Sequence, residues 1–538
     1  MGYREGVRRM TSLILLPALS GLLLVLSFPQ FDLGLLAWWA LVPLLLAIRN
    51  SSWRMGFGQG FLAGLIYYAG TLSWVVISMH LYGMVPLPVS YLVMLLLAAY
   101  CALYVGLFAA LLQAFRSEGA RYLLWTAPAL WVSLELVRTY LFSGFPWALL
   151  GYSQYQNLPV IQIADMTGVY GVSFLLVVVN VLLAAFVQVN FFKVATTETR
   201  LQFPWIQAAV CLLLISGALT YGYWRLSPHA HFFSEHPLRI GLVQANIDQA
   251  RKWDAAFRQE TIDRYKRLTA QAAKGTDLVI WPEAATPFLF EVEAGYQEEL
   301  LRFVREQGVS LLFGSPATAI ENSTNQLRLF NSAFLVSTDG RILDRYDKVH
   351  LVPFGEYVPL KNILSFLDKM VVGIGDFLPG KGPAVMQGPG GQFGVVICFE
   401  VIFPDLVRRF VAQGADYMIT ITNDAWFGRS SAPHQHFGMV VFRAVENRVY
   451  FARAANTGIS GFIDPYGRIL RKSEIFTEAV LTGEIRTGGP RTFYTAYGDL
   501  FAGACVILTL FAPAFARRPE RVRKPVRAGH KLGRDHAR

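Results

Sequence analysis

The sequence predicts a multi-pass α-helical membrane domain, an α/β domain after it, and one further membrane helix. Three observations support this fold class. The 538-residue chain has a mean hydropathy of +0.39, with 54% hydrophobic and only 16% charged residues, which is typical of a membrane protein. Apolar segments of membrane-spanning length recur through the first 225 residues. Between residues 237 and 490, short β-type runs alternate with helical stretches.

Eight apolar segments are predicted to span the membrane, seven before the α/β domain and one after it. They are Thr11–Ser27, Leu33–Ile48, Gly56–Met79, Leu87–Ala114, Tyr122–Leu141, Ile161–Phe192, Trp205–Trp224 and Leu500–Phe515. The sequence therefore predicts four parts. These are a seven-span domain over residues 1–225, a catalytic α/β domain over 237–490, a final membrane helix over 499–516 and a basic cytoplasmic tail over 517–538.

The positions of the basic residues predict the orientation of these spans. Arg or Lys residues precede the first span and occupy the loops after the second, fourth and sixth, whereas the short loops 29–32, 80–86 and 142–160 contain none. By the positive-inside rule, both termini are predicted to lie in the cytoplasm and the α/β domain outside it. Because Ser27–Gln30 lacks a small-x-small cleavage pattern, we expect a retained anchor rather than a cleaved signal peptide.

The net charge of +11 does not indicate nucleic-acid binding. The basic residues concentrate at the ends of apolar segments and in the tail Arg517–Arg538, where topology explains them better than a phosphate-binding face. Cys101, Cys211 and Cys505 lie inside apolar stretches, which leaves Cys398 without a partner in the α/β domain. This distribution argues against a disulfide framework.

Cys398 is the candidate nucleophile, since it follows the run Gln392–Ile397, which is typical of a buried strand, and precedes Glu400. The alternative is a structural thiol, because free cysteine often packs as a small hydrophobe. Glu283 and Lys348 also lie at or near the ends of strand-type runs. A Glu, a Lys and a Cys that meet above one sheet can perform acyl transfer. The carboxylate takes the thiol proton, the thiolate attacks a carbonyl and the ammonium stabilises the oxyanion.

The stretches around these residues resemble the three signatures of the nitrilase, or carbon–nitrogen hydrolase, superfamily. They are Trp281–Glu283, Tyr346–Glu356 and Ile397–Glu400. Two more stretches, Asn423–Gly428 and Arg453–Gly458, together with the membrane spans, are similar to the apolipoprotein N-acyltransferase family of bacterial lipoprotein maturation. The resemblance covers nearly the whole chain except the tail, and it implies an extracytoplasmic, nitrilase-like α-β-β-α sandwich.

The resemblance implies a general base, an oxyanion stabiliser and a nucleophile in Glu283, Lys348 and Cys398, respectively. Three more residues would support the site, namely Glu356, Glu400 and Trp253. Cys398 would take a fatty acyl chain from a phospholipid, with phosphatidylethanolamine as the usual donor. It would then pass the chain to the N-terminal amine of diacylglyceryl-cysteine on an apolipoprotein. Phe399 stands where many relatives have Tyr, so a role for that hydroxyl is not expected here.

The implied partners are a phospholipid donor, diacylglyceryl apolipoproteins and the lipid bilayer of the bacterial inner membrane, with the catalytic domain in the periplasm. We expect no cofactor, no metal and no nucleic acid. Two alternatives stay open. One is a membrane-tethered amidase or lipid hydrolase that passes the acyl group to water, and the other is an inactive, lipoprotein-binding scaffold.

Three further signals are weaker. His434 and His436 lack additional ligands at zinc spacing, so we expect structural or supporting roles for them. The apolar stretch Ile363–Phe377 is interpreted as a lid that dips into lipid or as a buried helix. Glu135 and Arg138, one turn apart within the fifth span, are interpreted as a mutually neutralising pair, with a path for a polar headgroup as the alternative.

Overall fold

The computed structural model describes residues 10–115, 120–191, 205–227, 233–234, 237–321, 326–357 and 377–516. The described residues between 10 and 227 form a helical region, and those between 238 and 485 form an α/β region. The stretch 363–377 that we interpreted as a lid or buried helix lies outside the described residues except for Phe377. The basic tail 517–538 lies outside them entirely.

Helical structure occurs at each of the first seven predicted spans. The α-helices of this region are α1 (Leu16–Leu26), α2 (Val42–Ala47), α3 (Trp53–Thr71), α4 (Trp74–Ile77), α5 (Leu87–Phe115), α6 (Ala120–Tyr140), α7 (Leu158–Ile161), α8 (Ala164–Thr167), α9 (Val169–Phe191) and α10 (Trp205–Leu226). The second predicted span is broken into a 3₁₀ turn, Gly34–Trp38, followed by α2. Pro43 lies in the first turn of α2, where its missing N–H costs nothing, whereas it would break a helix that continued from Gly34.

Several of these helices are long and apolar enough to cross a bilayer. Among the described residues, α5, α9 and α10 meet both criteria, and α3 followed by Trp74–Tyr82 gives a fourth candidate that is bent by 49°. The apolar helices Leu13–Leu26, Gly34–Asn50 and Leu500–Phe511 are shorter. The structure thus shows a helical region with several apolar helices, and the arrangement of eight spans stays a prediction.

Glu135 and Arg138 in α6 bind a loop, which differs from the mutual pair suggested by the sequence. Arg138 donates from Nη1 to the carbonyl of Trp147 at 3.0 Å and from Nη2 to that of Ala148 at 3.4 Å. Glu135 Oε1 accepts from the N–H of Leu150 at 2.7 Å. Both side chains are buried, and the loop backbone supplies partners for Arg138 and for Oε1 of Glu135, which also accepts from Trp131 Nε1 at 3.0 Å. Their observed role is therefore to fix the loop that precedes α7.

The described part of the α/β region contains two six-stranded sheets. The strands are β1 (Leu238–Gln244), β2 (Leu278–Ile280), β3 (Ser310–Glu321), β4 (Gln326–Val336), β5 (Ile342–Asp347), β6 (Val385–Gly388), β7 (Gly391–Ile397), β8 (Tyr417–Thr422), β9 (Phe451–Ala455), β10 (Gly461–Ile463), β11 (Ile469–Lys472) and β12 (Ala479–Ile485). The first sheet has the order β12-β1-β2-β3-β4-β5, and the second has β11-β10-β9-β8-β7-β6. In each sheet three neighbouring strands are parallel, β1 to β3 and β7 to β9, and antiparallel strands flank them.

The sheets pack face to face, and helices cover their outer faces. The covering helices are α11 (Arg258–Ala272) and α12 (Ala294–Gln307) on the first sheet, and α13 (Pro404–Ala412) and α14 (Ala432–Asn447) on the second. Leu278 and Ile280 lie in the core between the sheets, whereas Val279 packs with the residues of α11 and α12. Successive side chains of β2 thus lie on opposite faces of the sheet, as expected for a strand that is buried on both faces. The expected two-sheet, nitrilase-like sandwich is confirmed. After β12, the short helix α15 (Phe493–Tyr497) leads to α16 (Leu500–Ala516), at the eighth predicted span.

Gly314 in β3 supports the loop that carries Glu283, and this contact gives a test of the packing. A Cβ at Gly314 would lie 2.7 Å from Glu283 Cα and 2.6 Å from the nitrogen of Ala284. Because these atoms belong to the backbone, we expect Gly314→Ala to cost about 1–3 kcal/mol of unfolding free energy. It should also displace Glu283, so alkylation of Cys398 should slow. Unfolding in detergent and the alkylation rate are the measurements.

Gly295 in α12 provides the matched control, because a Cβ there has no neighbour within 4 Å. Alanine is preferred to glycine in a helix by up to about 1 kcal/mol, so Gly295→Ala should leave the protein equally or more stable. Equal stability and equal alkylation rates for the two variants would contradict the proposed clash.

Candidate active site

Glu283, Lys348 and Cys398 come together at one edge of the sandwich. They follow β2, β5 and β7, and the parallel strands β2 and β7 carry Glu283 and Cys398 beyond their carboxyl ends, where sites in α/β folds usually form. Lys348 Nζ lies 3.4 Å from Glu283 Oε1, and both groups lie close enough to Cys398 to act on its thiol electrostatically. All three side chains are buried, with exposed fractions of 7%, 1% and 8% in chain order. The sequence thus identified three residues that the fold places in one water-poor site.

The segments that follow β2, β5 and β7 each contain a non-glycine residue with a left-handed backbone conformation. The φ angle is +47° at Ala284, which follows Glu283, and +52° at Cys398 itself. It is +61° at Phe354, in the loop after β5 that begins with Lys348 and is called the lysine loop below. Such a conformation costs about 1–2 kcal/mol per residue and tends to occur at functional sites. Cys398 leaves β7 in a sharp turn and begins a 3₁₀ turn that extends to Ile402. This geometry is analogous to the strand-to-helix turn that exposes the nucleophile in serine hydrolases.

The Glu283 carboxylate is held by hydrogen bonds on both oxygens. Oε1 accepts from Asn331 Nδ2 at 2.8 Å as well as from Lys348, and Oε2 accepts from the backbone N–H of Asn423 at 2.9 Å. These donors fix the orientation of the carboxylate. Glu283 is therefore placed as a proton acceptor beside Cys398.

Glu356 supports Lys348. Its carboxylate lies 3.0 Å from Lys348 Nζ and accepts from Asn331 Nδ2 and from the N–H of Val352, both at 2.8 Å. Burial disfavours the Lys348 ammonium, but Glu356 and Glu283 outweigh that effect and hold the pKa of Lys348 above its usual value. The site therefore keeps a positive charge where an oxyanion would develop.

Glu400 connects the lysine loop after β5 with the end of β7, the strand that precedes Cys398. Its Oε1 accepts from the N–H of Val349 at 2.6 Å and from the hydroxyl of Tyr346 at 2.8 Å, and its Oε2 accepts from the N–H of Ile397 at 2.7 Å. Burial raises the pKa of Glu400 to about 7 despite these donors. Glu400 thus contacts the backbone on both sides of the site, and its supporting role stays a prediction.

Trp253, expected from the sequence to support the site, is largely exposed, and the residue before it contacts the Glu283 loop. The Trp253 side chain is 52% exposed, whereas Lys252 is 2% exposed and donates from Nζ to the backbone carbonyl of Glu283 at 3.2 Å. Burial lowers the pKa of Lys252 to about 8, and Glu283 and Cys398 act in the opposite direction. Sequence reasoning missed Lys252 and also Asn331. Asn331 lies in β4 near the apolar stretch Ala333–Val336, where a buried polar side chain is a signal of a hydrogen-bond network.

The Cys398 thiol is protonated in this resting arrangement. Burial raises the pKa of Cys398 well above its usual value, and Glu283 adds to this effect more than Lys348 opposes it. Because the thiolate is the reactive form, attack on a carbonyl requires that a base remove the proton at that moment. Glu283 is in position to do so.

A two-sheet sandwich with Glu, Lys and Cys at one edge defines a carbon–nitrogen hydrolase domain, here joined to a region of apolar helices. Comparison with protein families agrees with this class. Residues 239–491 match the carbon–nitrogen hydrolase family, and residues 20–182 match the apolipoprotein N-acyltransferase N-terminal domain. An amidase from Nesterenkonia sp. covers 51% of this chain and 98% of its own, with a TM-score of 0.37 and 22% identity.

Two curated relatives match almost the whole chain. The apolipoprotein N-acyltransferase of Geobacter metallireducens is 46% identical over 506 residues, which covers 94% of this chain and 95% of the relative. That of Pasteurella multocida is 32% identical over 520 residues, with 95% and 97% covered. The chain therefore belongs to the apolipoprotein N-acyltransferase family, a family of acyltransferases that act in lipoprotein maturation.

The position of Lys252 leads to a prediction about the reactivity of Cys398. Lys252→Met removes a buried positive charge beside the thiol, so ionisation of Cys398 should become harder by roughly one pKa unit, or about 1.4 kcal/mol. Alkylation of Cys398 by iodoacetamide at pH 7 should then slow by about tenfold. Arg251→Met removes the same charge from the exposed neighbouring position and is the control. Equal rates for the two variants would exclude a local effect of Lys252.

Proposed function

We propose that this chain transfers a fatty acyl chain from a phospholipid, through a thioester on Cys398, to the N-terminal amine of diacylglyceryl-cysteine on an apolipoprotein. The observation that carries the proposal is the buried set of Glu283, Lys348 and Cys398, held beside a region of apolar helices. A thiol provides the nucleophile, a fixed carboxylate provides the base, and a permanent ammonium stabilises the oxyanion.

In the first step, the Cys398 thiol gives its proton to Glu283 and its sulfur attacks the ester carbonyl of the phospholipid. Lys348 stabilises the negative oxygen of the tetrahedral intermediate. When the intermediate collapses, the carbon–oxygen ester bond breaks and the leaving alkoxide takes the proton from Glu283. The products are a thioester on Cys398 and a lysophospholipid.

In the second step, the neutral α-amine of the acceptor attacks the thioester carbonyl. Glu283 accepts a proton from the attacking amine, the carbon–sulfur bond breaks, and the departing thiolate recovers the proton. The new bond is an amide. The deep burial of Cys398 limits access of water, which favours the amine over hydrolysis.

We further propose phosphatidylethanolamine as the donor and the bacterial inner membrane as the location. Both substrates carry long acyl chains, so the site must lie close to a leaflet. The charge distribution along the sequence supports eight spans, with both termini cytoplasmic and the catalytic domain periplasmic. The corresponding division is residues 1–225, 237–490, 499–516 and 517–538.

Intact-mass spectrometry after incubation with phosphatidylethanolamine tests the mechanism. The wild-type protein should gain one fatty acyl chain, and Cys398→Ala should gain none. Glu283→Gln keeps the shape but removes the base, so adduct formation should slow by about 10²–10⁴-fold. A diacylglyceryl-cysteine peptide should discharge the adduct and gain an amide-linked chain.

Other outcomes would support the alternative functions. An adduct that decays equally fast with and without the peptide would identify a lipid hydrolase. A wild-type protein that forms no adduct with any phospholipid would contradict the covalent mechanism and favour a binding scaffold.

A labelling experiment tests the proposed topology. Asp339 lies on an exposed turn of the catalytic domain, and His530 belongs to the basic tail. The variants Asp339→Cys and His530→Cys therefore introduce one thiol into each part. The four native cysteines are buried. In cells with a permeable outer membrane, an impermeant maleimide should label Cys at position 339 but not at position 530. Lysis of the inner membrane should expose both. Labelling of position 530 before lysis, or of neither position, would contradict the orientation.

A further inference from the structure

His436 contacts the backbone of the nucleophile. It lies in the first turns of α14, is fully buried, and places Nε2 at 3.2 Å from the carbonyl oxygen of Cys398. A carbonyl oxygen only accepts hydrogen bonds, so Nε2 carries the proton and donates it to Cys398.

The other side of the His436 ring faces a buried ion pair. Nδ1 lies 3.1 Å from Arg453 Nη2 and 3.1 Å from Asp424 Oδ1, and Arg453 Nη2 lies 2.8 Å from Asp424 Oδ2. Burial and Arg453 lower the pKa of His436, whereas Asp424 acts in the opposite direction. Nδ1 accepts from Arg453 when the ring is neutral and donates to Asp424 when the ring is protonated, and in both states Nε2 keeps its proton. Thr422 also donates to Asp424, at 2.8 Å. The ring therefore has one orientation, with Nε2 toward Cys398.

We propose that His436 is a positioning residue for the nucleophile, which holds the carbonyl of Cys398 while Arg453 and Asp424 fix its ring. The left-handed φ of +52° at Cys398 is unfavourable for a residue with a side chain, so other contacts must maintain it. A hydrogen bond to the Cys398 carbonyl restrains the peptide plane that follows Cys398. If this plane is released, the residue can relax and its sulfur turns away from Glu283 and Lys348.

The same turn of α14 joins the nucleophile to the helical region. Gln435, the residue before His436, accepts from Trp147 Nε1 at 2.6 Å and donates to the carbonyls of Pro29 at 2.9 Å and Thr71 at 3.2 Å. The ring of Trp147 also stacks on that of His436, with centroids 5.8 Å apart. Adjacent residues of one helix thus bind the helical region and the nucleophile, so the position of the helical region contributes to the orientation of Cys398.

The positioning role of His436 rests on the proposed role of Cys398 as nucleophile. Two substitutions at His436 distinguish the effect of its hydrogen bond to Cys398 from the effect of filling the same space. The amide of His436→Gln can reach the position of Nε2 and donate to the Cys398 carbonyl. The amide of His436→Asn reaches only the position of Nδ1, so it keeps a polar group beside Asp424 but loses the bond to Cys398. His434→Asn, two residues away and half-buried, is the matched control.

The experiment measures acyl-adduct formation on the full-length protein with phosphatidylethanolamine in detergent micelles. The final level of adduct gives the fraction of competent sites, and the time course gives the rate constant per competent site. We expect His436→Asn to lower the rate constant by about 100-fold at an unchanged apparent affinity for the phospholipid. His436→Gln should stay within about threefold of wild type, as should His434→Asn.

Each other outcome is informative. A wild-type rate constant for His436→Asn would overturn the positioning role. A smaller competent fraction with a normal rate constant would show that His436 is needed only for folding, and equal losses in the Asn and Gln variants would exclude the bond to Cys398 as the cause. Absence of an adduct in the wild-type protein would instead contradict the proposed function.

Discussion

The buried ammonium of Lys348 is the constraint on which the rest of the site depends. Its side chain is 1% exposed, and removing such a charge from water costs several kcal/mol unless partners replace the solvent. Glu283 and Glu356 are those partners, and each is itself a buried charge that needs donors. Asn331 Nδ2 donates a hydrogen bond to each carboxylate, and the backbone N–H of Val352 donates a further one to Glu356. Removing Lys348 would leave two buried carboxylates without their cation, so the mutual positions of Glu283, Glu356 and Lys348 follow from a single requirement of charge neutralisation.

The same environment affects the thiol of Cys398. A neighbouring lysine by itself would lower the pKa of a thiol. At Cys398, burial and the Glu283 carboxylate outweigh Lys348 and raise the pKa. In the proposed mechanism, the positive charge would therefore act mainly when negative charge develops on the ester oxygen. Interactions that are stronger in the transition state than in the ground state are those that accelerate a reaction.

Local patterns were sufficient to predict the framework of the fold. The strand-type runs Leu238–Gln244 and Tyr417–Thr422 of the sequence coincide with β1 and β8, because clear breaks flank them. The sequence did not predict β11, since Ile469–Lys472 is exposed along its whole length and has no apolar face. It did not predict β9 either, because Arg453 interrupts the apolar run. The partners of this buried arginine are Asp424, His436 and the carbonyl of Ile459.

Residues that depend on distant partners could not be identified in the same way. The triad residues stand next to strand ends and in recognisable stretches, so they could be located without knowledge of contacts. Lys252 and His436 act on groups 31 and 38 positions away in sequence, which no local pattern reports. Trp253 was named through the family resemblance, although its neighbour Lys252 is the buried residue. The sequence thus indicated the triad and the supporting Glu356 and Glu400, but not the contacts made by Lys252 and His436.

Helix α14 makes the two regions behave as one body. Near its beginning, Gln435 binds the helical region, and just beyond its end Arg448 donates to Asp165 at 2.9 Å and to Gln162 at 2.5 Å. Near its last turn, Glu446 accepts from the N–H of Val169 at 3.0 Å. Separating the regions would leave buried charges without partners, at a cost of several kcal/mol each. The catalytic domain is therefore held at a fixed position on the apolar helices, and His436 lies on the helix that holds it there.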